Sequence, residues 1–189
     1  MALRRGFKSE AEGIAREVRE ELGLRPVDPL APLKLAEHLE IPVIPLSALR
    51  REAPAMVRHF SRIDRSAFSA ITIFDGPARV IVHNDSHSVG RQSSNLAHEL
   101  SHGLLLHPPR PPLDGYGNRE WNQEEELEAD WLAGVLLVPD EAALLIVRRE
   151  LSVSAAADVY GVSEPMMRFR LNMTGAKVRV QRAGRYRVL

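Results

Sequence analysis

Ser94-Asn-Leu-Ala-His-Glu-Leu-Ser-His102 sets two histidines four residues apart, with a glutamate directly after the first. The stretch lies within a helix predicted from about Val89 to Leu106, and Leu96, Ala97, Leu100, Leu104 and Leu105 make that helix largely buried. Residues four apart on a helix emerge on one face, one turn apart. His98 and His102 can therefore offer two imidazole nitrogens to a single Zn²⁺ at about 2.0–2.1 Å. Glu99 is then a base rather than a ligand: it accepts a proton from the attacking water and later passes it to the leaving amine. The composition of the chain yields an H-E-x-x-H by chance only about 0.02 times. A helix carrying two surface histidines would look the same, but buried histidines need partners, which favours the metal.

A catalytic zinc usually takes three protein ligands, so a third is expected downstream. Glu124-Glu125-Glu126-Leu127-Glu128-Ala129-Asp130 offers five carboxylates on a helix predicted over Arg119–Val138 and ended by Pro139. From Trp131 to Pro139 there is no charged or hydrogen-bonding side chain apart from the indole, so this half must be buried nearly all round. Glu126 and Asp130 align with Ala133 and Leu137 and are best placed to point inward. Glu124, Glu125 and Glu128 project at other angles and are expected to be solvated. An acidic helix N-terminus that merely complements the macrodipole is the competing explanation of the run.

The rest of the chain narrows the chemistry. It has 189 residues, 44% apolar, with a formal net charge of zero and no cysteine. Balanced charge gives no global field toward nucleic acid or membrane. The lack of cysteine excludes disulfides, thiolate-bound zinc and a Cys nucleophile. Met1–Gly13 has no apolar core of a signal peptide, and no apolar run is long enough to cross a bilayer, so a cytoplasmic protein is expected.

Elsewhere, Ser9–Leu22 reads as an amphipathic helix opened by a Ser9/Glu12 capping box and stopped by Gly23. A shorter helix is expected from about Asp28 to Glu40. Ile41–Leu46 is extended, and its prolines suit a sheet edge. Met56–Ser61 fits either class. Phe68–Phe74 and Arg79–His83 read as a hairpin turning at Asp75-Gly76-Pro77-Ala78. Pro108–Asn118 reads as a loop, and Asp140 as the cap of a helix running to Arg149. Ser152–Tyr160 and Ser163–Met173 read as paired short helices, and Lys177–Leu189 as a hairpin.

The pattern from Ser94 to Pro139 resembles the ImmA/IrrE family of metallopeptidases. The matching stretches are Ser94–His102, Glu126-Leu-Glu-Ala-Asp130 and Trp131-Leu-Ala-Gly-Val-Leu-Leu-Val-Pro139. Family members commonly show A-H-E-L-G-H, then E-x-x-A-N/D, then F-A-x-x-L-L-M-P. The first helix, the hairpin and Tyr160-Gly-Val-Ser163 with Arg170-Leu171 also look like the family. The resemblance implies Glu126 as third ligand and Asp130 as a partner that orients a ligand histidine. It further implies a zincin-like α+β domain, with helices packed on a small antiparallel sheet. Family members resemble anti-repressors of mobile elements that cleave helix-turn-helix repressors, and one branch regulates a radiation response in the same way. The implied substrate is thus a folded DNA-binding protein. Ser101 replaces the common Gly and Trp131 the common Phe, changing packing without removing a ligand. His107 lies one residue past the family's usual His, which leaves its role open. A His there is more often structural, and His59, His83 and His87 are read the same way.

The chain is expected to divide into a peptidase domain over residues 1–150 and an appendage over 151–189. From Leu151 onward there are seven basic and two acidic residues. Ser152–Met173 resembles a degenerate helix-turn-helix, with Lys177, Arg179, Arg185 and Arg187 on one face of the following hairpin. DNA contact is one reading. A solvated face on a tail packed against the core is the favoured one, since Glu164–Met173 brings only Arg168 and Arg170. A zinc endopeptidase is the leading function. A zinc-containing regulator without turnover, binding DNA or a repressor, is the alternative.

Overall fold

The computed structural model describes residues 3–76, 78–108 and 122–185. In chain order the helices are α1 Phe7–Glu21, α2 Pro32–His38, α3 Pro54–Arg58, α4 Val89–Leu104, α5 Gln123–Leu137, α6 Asp140–Arg148, α7 Val153–Tyr160, α8 Glu164–Met173 and α9 Ala176–Arg185. The strands are β1 Val43–Pro45, β2 Ala70–Asp75 and β3 Ala78–His83. The fold is α+β, as expected.

Helix α5 is the axis. Leu132, Val135 and Leu136 enter one core with Phe7, Ala11 and Ala15 of α1, Leu35 of α2, and Leu96 and Leu100 of α4. Ala133 and Leu137 enter a second core with Ala97 of α4, Ile146 of α6, Tyr160 of α7 and Met167 of α8. A helix buried on both sides needs an apolar circumference, which Trp131–Pro139 supplies. Each such leucine contributes about 1.5–3 kcal/mol by leaving water. Gly90 lets the first turn of α4 meet the turn between α7 and α8. A Cβ there would lie 2.5 Å from Ser163 N and 2.6 Å from Val162 C.

The sheet is mixed, with order β1-β3-β2. β2 and β3 form the expected hairpin, but β1 lies parallel to β3, pairing Val43 with Ile81 and Pro45 with His83. The expectation of an antiparallel sheet is corrected here. The connection through a 3-10 turn (Leu46–Arg50), α3 and a π-helical turn (His59–Ile63) is long enough for a crossover. The proline-rich β1 does sit at an edge.

Several ends differ from expectation. Helix α1 begins at Phe7, which is fully buried, after Gly6 in the left-handed region (φ 87°) and with no side-chain cap. Glu12 is therefore free of a capping box and reaches Arg170 instead. Helix α2 starts at Pro32, whose ring suits a first turn. Asp28 pairs with Arg25. Asp140 lies inside the first turn of α6, and Pro139 holds the cap position. Ser152 and Ser163 do cap α7 and α8, accepting from Ala155 N at 3.1 Å and Met166 N at 3.2 Å. Asn122 caps α5. The loop expected over 108–118 and the start at Arg119 lie outside the described residues, Pro108 excepted.

The expected C-terminal hairpin is instead helix α9 as far as Arg185. Ala176 and Val180 are as compatible with helical spacing as with alternation, and Lys, Arg, Gln and Ala favour helix. A lone hairpin has little stability of its own. Helix α9 packs on α6, and Arg179 Nη1 meets Asp140 Oδ2 at 2.9 Å.

Arg170 is 1% exposed, so it does not belong to a basic surface. Its Nε donates to Val138 O at 2.8 Å, and its Nη2 meets Glu12 at 3.1 Å and Asp140 at 3.7 Å. Removing the guanidinium leaves two carboxylates and a carbonyl without it. Arg170→Ala is expected to cost about 3–5 kcal/mol in urea unfolding. An effect under about 1 kcal/mol would show that the cluster is not structural.

Burial pushes Glu12 up to about 7, with Asp140 adding and Arg170 opposing. The same carboxyl titrates near 4.5 in an unfolded chain. Between these values the folded state holds more protons, so stability from this group falls as pH rises from about 4.5 to 7 and is level above. Glu12→Gln should flatten that slope in unfolding curves taken across the window. An unchanged slope would assign it to other groups.

Candidate metal centre

Helix α4 divides its faces by polarity. Leu96 and Leu100 enter the first core, Ala97 the second, and Ser101 is fully buried. The Ser101 hydroxyl donates to Ala97 O at 2.7 Å, which satisfies it inside its own helix. His98, Glu99 and His102 occupy the remaining face. Helix α5 crosses beside it, with Ala129 and Ala133 at the contact side, and presents Glu126.

The three expected ligands come together. His98 Nε2 lies 3.1 Å from His102 Nε2 and 3.2 Å from Glu126 Oε2, and His102 Nε2 lies 3.8 Å from Glu126 Oε1. In a tetrahedral zinc site with bonds of about 2.0–2.1 Å, neighbouring ligand atoms stand about 3.3 Å apart. The donor set and its spacing fit a zinc-sized cation. Among the described residues these are the His, Asp and Glu side chains grouped closely enough to hold one.

Without an ion, the neighbouring charges act on the two rings in opposite directions. Burial disfavours charge on His98, but hydrogen bonds to Asp130 and Glu126 outweigh it and push it up to about 10. Burial, then the neighbouring His98, push His102 down to about 4. The pair thus accommodates one positive charge between its rings, beside a carboxylate.

Asp130 Oδ1 accepts from His98 Nδ1 at 2.8 Å. Its side chain is 71% exposed, so it stands at the rim rather than inside. Glu124 is exposed, as expected. Glu125 is half-buried and accepts from Asn122 Nδ2 at 2.7 Å. The solvated role expected for Glu128 is wrong: its side chain is only 15% exposed and meets Arg4 Nε at 2.7 Å.

Glu99 faces the sheet. Thr72 Oγ1 on β2 donates to Glu99 Oε2 at 2.5 Å. Thr72 carried no signal in the sequence, because the face of β2 that meets α4 depends on packing. A cleft of about 300 Å³ runs past the site, lined by Ser69, Ala70, Asn95, Glu99, Glu126 and Met166 among others. Glu99 therefore opens on space where a chain and a water can approach the metal position.

The other histidines do different work. His87 Nε2 donates to Arg65 O at 2.7 Å, and Asn84 Nδ2 donates to Phe60 O and Phe68 O, which braces the loops around the sheet. His83 is buried at the end of β3. No helix among the described residues is long and apolar enough to cross a membrane.

A family model for the IrrE N-terminal-like domain of the M78 peptidases matches residues 38–172. No curated protein and no solved structure matches.

Proposed function

The chain belongs to the M78 peptidase family, and on that footing we propose that it is a zinc endopeptidase that cleaves a helix-turn-helix transcriptional repressor. Membership makes it a peptidase of metal-dependent type, with protein as its substrate class. The finer reading rests on one observation: His98 Nε2, His102 Nε2 and a Glu126 carboxylate oxygen converge beside Glu99, in a cleft.

His98 and His102 bind as neutral imidazoles, and Glu126 supplies the charge that makes the set selective for a dication. A zinc ion held there would supply Lewis acidity toward the scissile carbonyl and toward an attacking water near neutral pH. Glu99 takes the proton of that water. Its Oε2 is held by Thr72, which leaves Oε1 for the transfer. The same carboxyl then protonates the leaving amine. Asp130 keeps His98 in the tautomer whose Nε2 faces the site.

The repressor assignment comes from resemblance to family members. With such a substrate, we read the protein as working in the cytoplasm. We read residues 1–150 as the peptidase unit and 151–189 as an appendage docked on it. The test is co-expression with the repressor encoded beside the gene, with fragments identified by mass spectrometry. Cleavage at one bond by the parent supports the proposal. An intact repressor in the presence of zinc-loaded parent would instead favour the regulator without turnover.

Direct DNA binding is expected to be weak and without sequence preference. Arg170 is buried and Arg179 is paired with Asp140, which removes two of the seven basic groups from the tail's surface charge. Tight, sequence-specific binding at physiological salt, lost on Arg182→Ala, would contradict this.

A further inference from the structure

We propose that His107 is a positioning residue for the metal: it holds His102 in one tautomer, with the Glu128 carboxylate facing its other nitrogen. The proposal rests on the reading of His98, His102 and Glu126 as ligands.

The argument follows the protons. With Nε2 of His102 turned to the site, the neutral ring carries its proton on Nδ1. That Nδ1 lies 2.8 Å from His107 Nδ1. Two N–H groups cannot face each other at this distance, so His107 Nδ1 accepts and the His107 proton sits on Nε2. There it faces Glu128 Oε2 at 3.6 Å. The other Glu128 oxygen accepts from Arg4 Nε at 2.7 Å, and Arg4 Nη2 is tied to Glu10 at 2.7 Å. The hydrogen bond runs from His102 to His107, and the Glu128 carboxylate, pinned by Arg4, faces the protonated side of His107 as a nearby charge. Metal-bound histidines characteristically donate their second N–H in this way. His98 has Asp130 for the purpose, and His107 gives His102 its counterpart.

The cap that ends α4 brings the two rings together, a left-handed turn of the kind that also ends α2 at Glu40 and α6 at Glu150. Helix α4 ends where Leu106 takes φ 56°, a left-handed conformation that a Cβ disfavours. The turn brings His107 N onto His102 O at 3.0 Å and swings the His107 ring beside that of His102, with ring centroids 4.9 Å apart. His107 and Glu128 are both largely buried, which fixes their geometry.

Zinc affinity is measured by chelator competition on the full chain, for the parent, His98→Ala, His107→Phe and His107→Asn. The parent is expected to bind one zinc and His98→Ala to lose it. His107→Phe keeps the ring volume but cannot accept, and should bind about 10–100-fold more weakly. His107→Asn places an amide oxygen near the lost Nδ1 and should recover most of that loss. A merely structural role would lower the metal-free thermal midpoint of both variants and would not separate their affinities. Parent affinity in His107→Phe, or equal loss in His107→Asn, overturns the proposal. Should His107→Phe not fold, ¹⁵N imidazole spectra of the zinc-loaded parent decide: a proton on His107 Nε2 supports the proposal, and one on Nδ1 overturns it. A parent that binds no zinc ends the ligand reading and this proposal together, whereas a zinc-binding parent with an indifferent His107 ends only the latter.

Discussion

Glu99→Gln is expected to retain the parent's zinc and to cut its substrate at least about 10²–10⁴-fold more slowly, the range that a positioned acid–base group contributes. Glu99 follows His98 on α4 and lines the cleft, so its carboxyl reaches the space in front of the proposed metal position. Thr72 holds one of its oxygens at 2.5 Å, which limits the carboxyl's freedom to turn in and become a fourth ligand. Glutamine preserves the volume and can still accept from Thr72. It cannot take up a proton, so the water is not activated and the leaving amine is not protonated. The readouts are fragment appearance and zinc content on the same samples. Parent-like cleavage would remove Glu99 from the mechanism, and loss of zinc would make it a ligand instead.

The second large effect is on metal retention. His98→Ala, His102→Ala and Glu126→Ala should each lose zinc and activity together. The loss should exceed the about 10–100-fold that an outer hydrogen-bond partner costs, because a bond to the metal itself is removed. The three donor atoms lie within 4.8 Å of one another, close enough to share one ion. Glu124 is the control: it is on the same acidic turn but exposed, and Glu124→Ala should keep full zinc. Zinc per chain by elemental mass spectrometry separates the cases. Full zinc in Glu126→Ala, with loss in Glu124→Ala or in Asp130→Ala, would reassign the third ligand.

Much of this arrangement can be read from sequence where one element suffices to determine it. Helical spacing alone brings His98 and His102 to one face. The unbroken apolar run after Asp130 makes α5 a central helix, and that burial turns Glu126 toward α4. Ser152 and Ser163 announce α7 and α8 because capping is local. What depends on two elements meeting was not readable. Thr72 is one of several polar strand residues until β2 is laid on α4. Glu128 looks like a solvated acid until the start of α1 and the end of α4 bring Arg4 and His107 to it. Arg170 was counted with the basic tail because nothing near it in sequence shows the buried oxygens of Val138, Glu12 and Asp140. The end of the chain failed for another reason. A short alternation of basic and aliphatic residues fits both periods, and docking on α6 favours helix.

Anomalous diffraction at the zinc edge tests the central claim most directly. Crystals of the zinc-loaded protein are predicted to show one peak, about 2.0–2.1 Å from His98 Nε2, His102 Nε2 and a Glu126 carboxylate oxygen. A peak bound by other side chains, or none at this trio in zinc-replete crystals, would contradict the account.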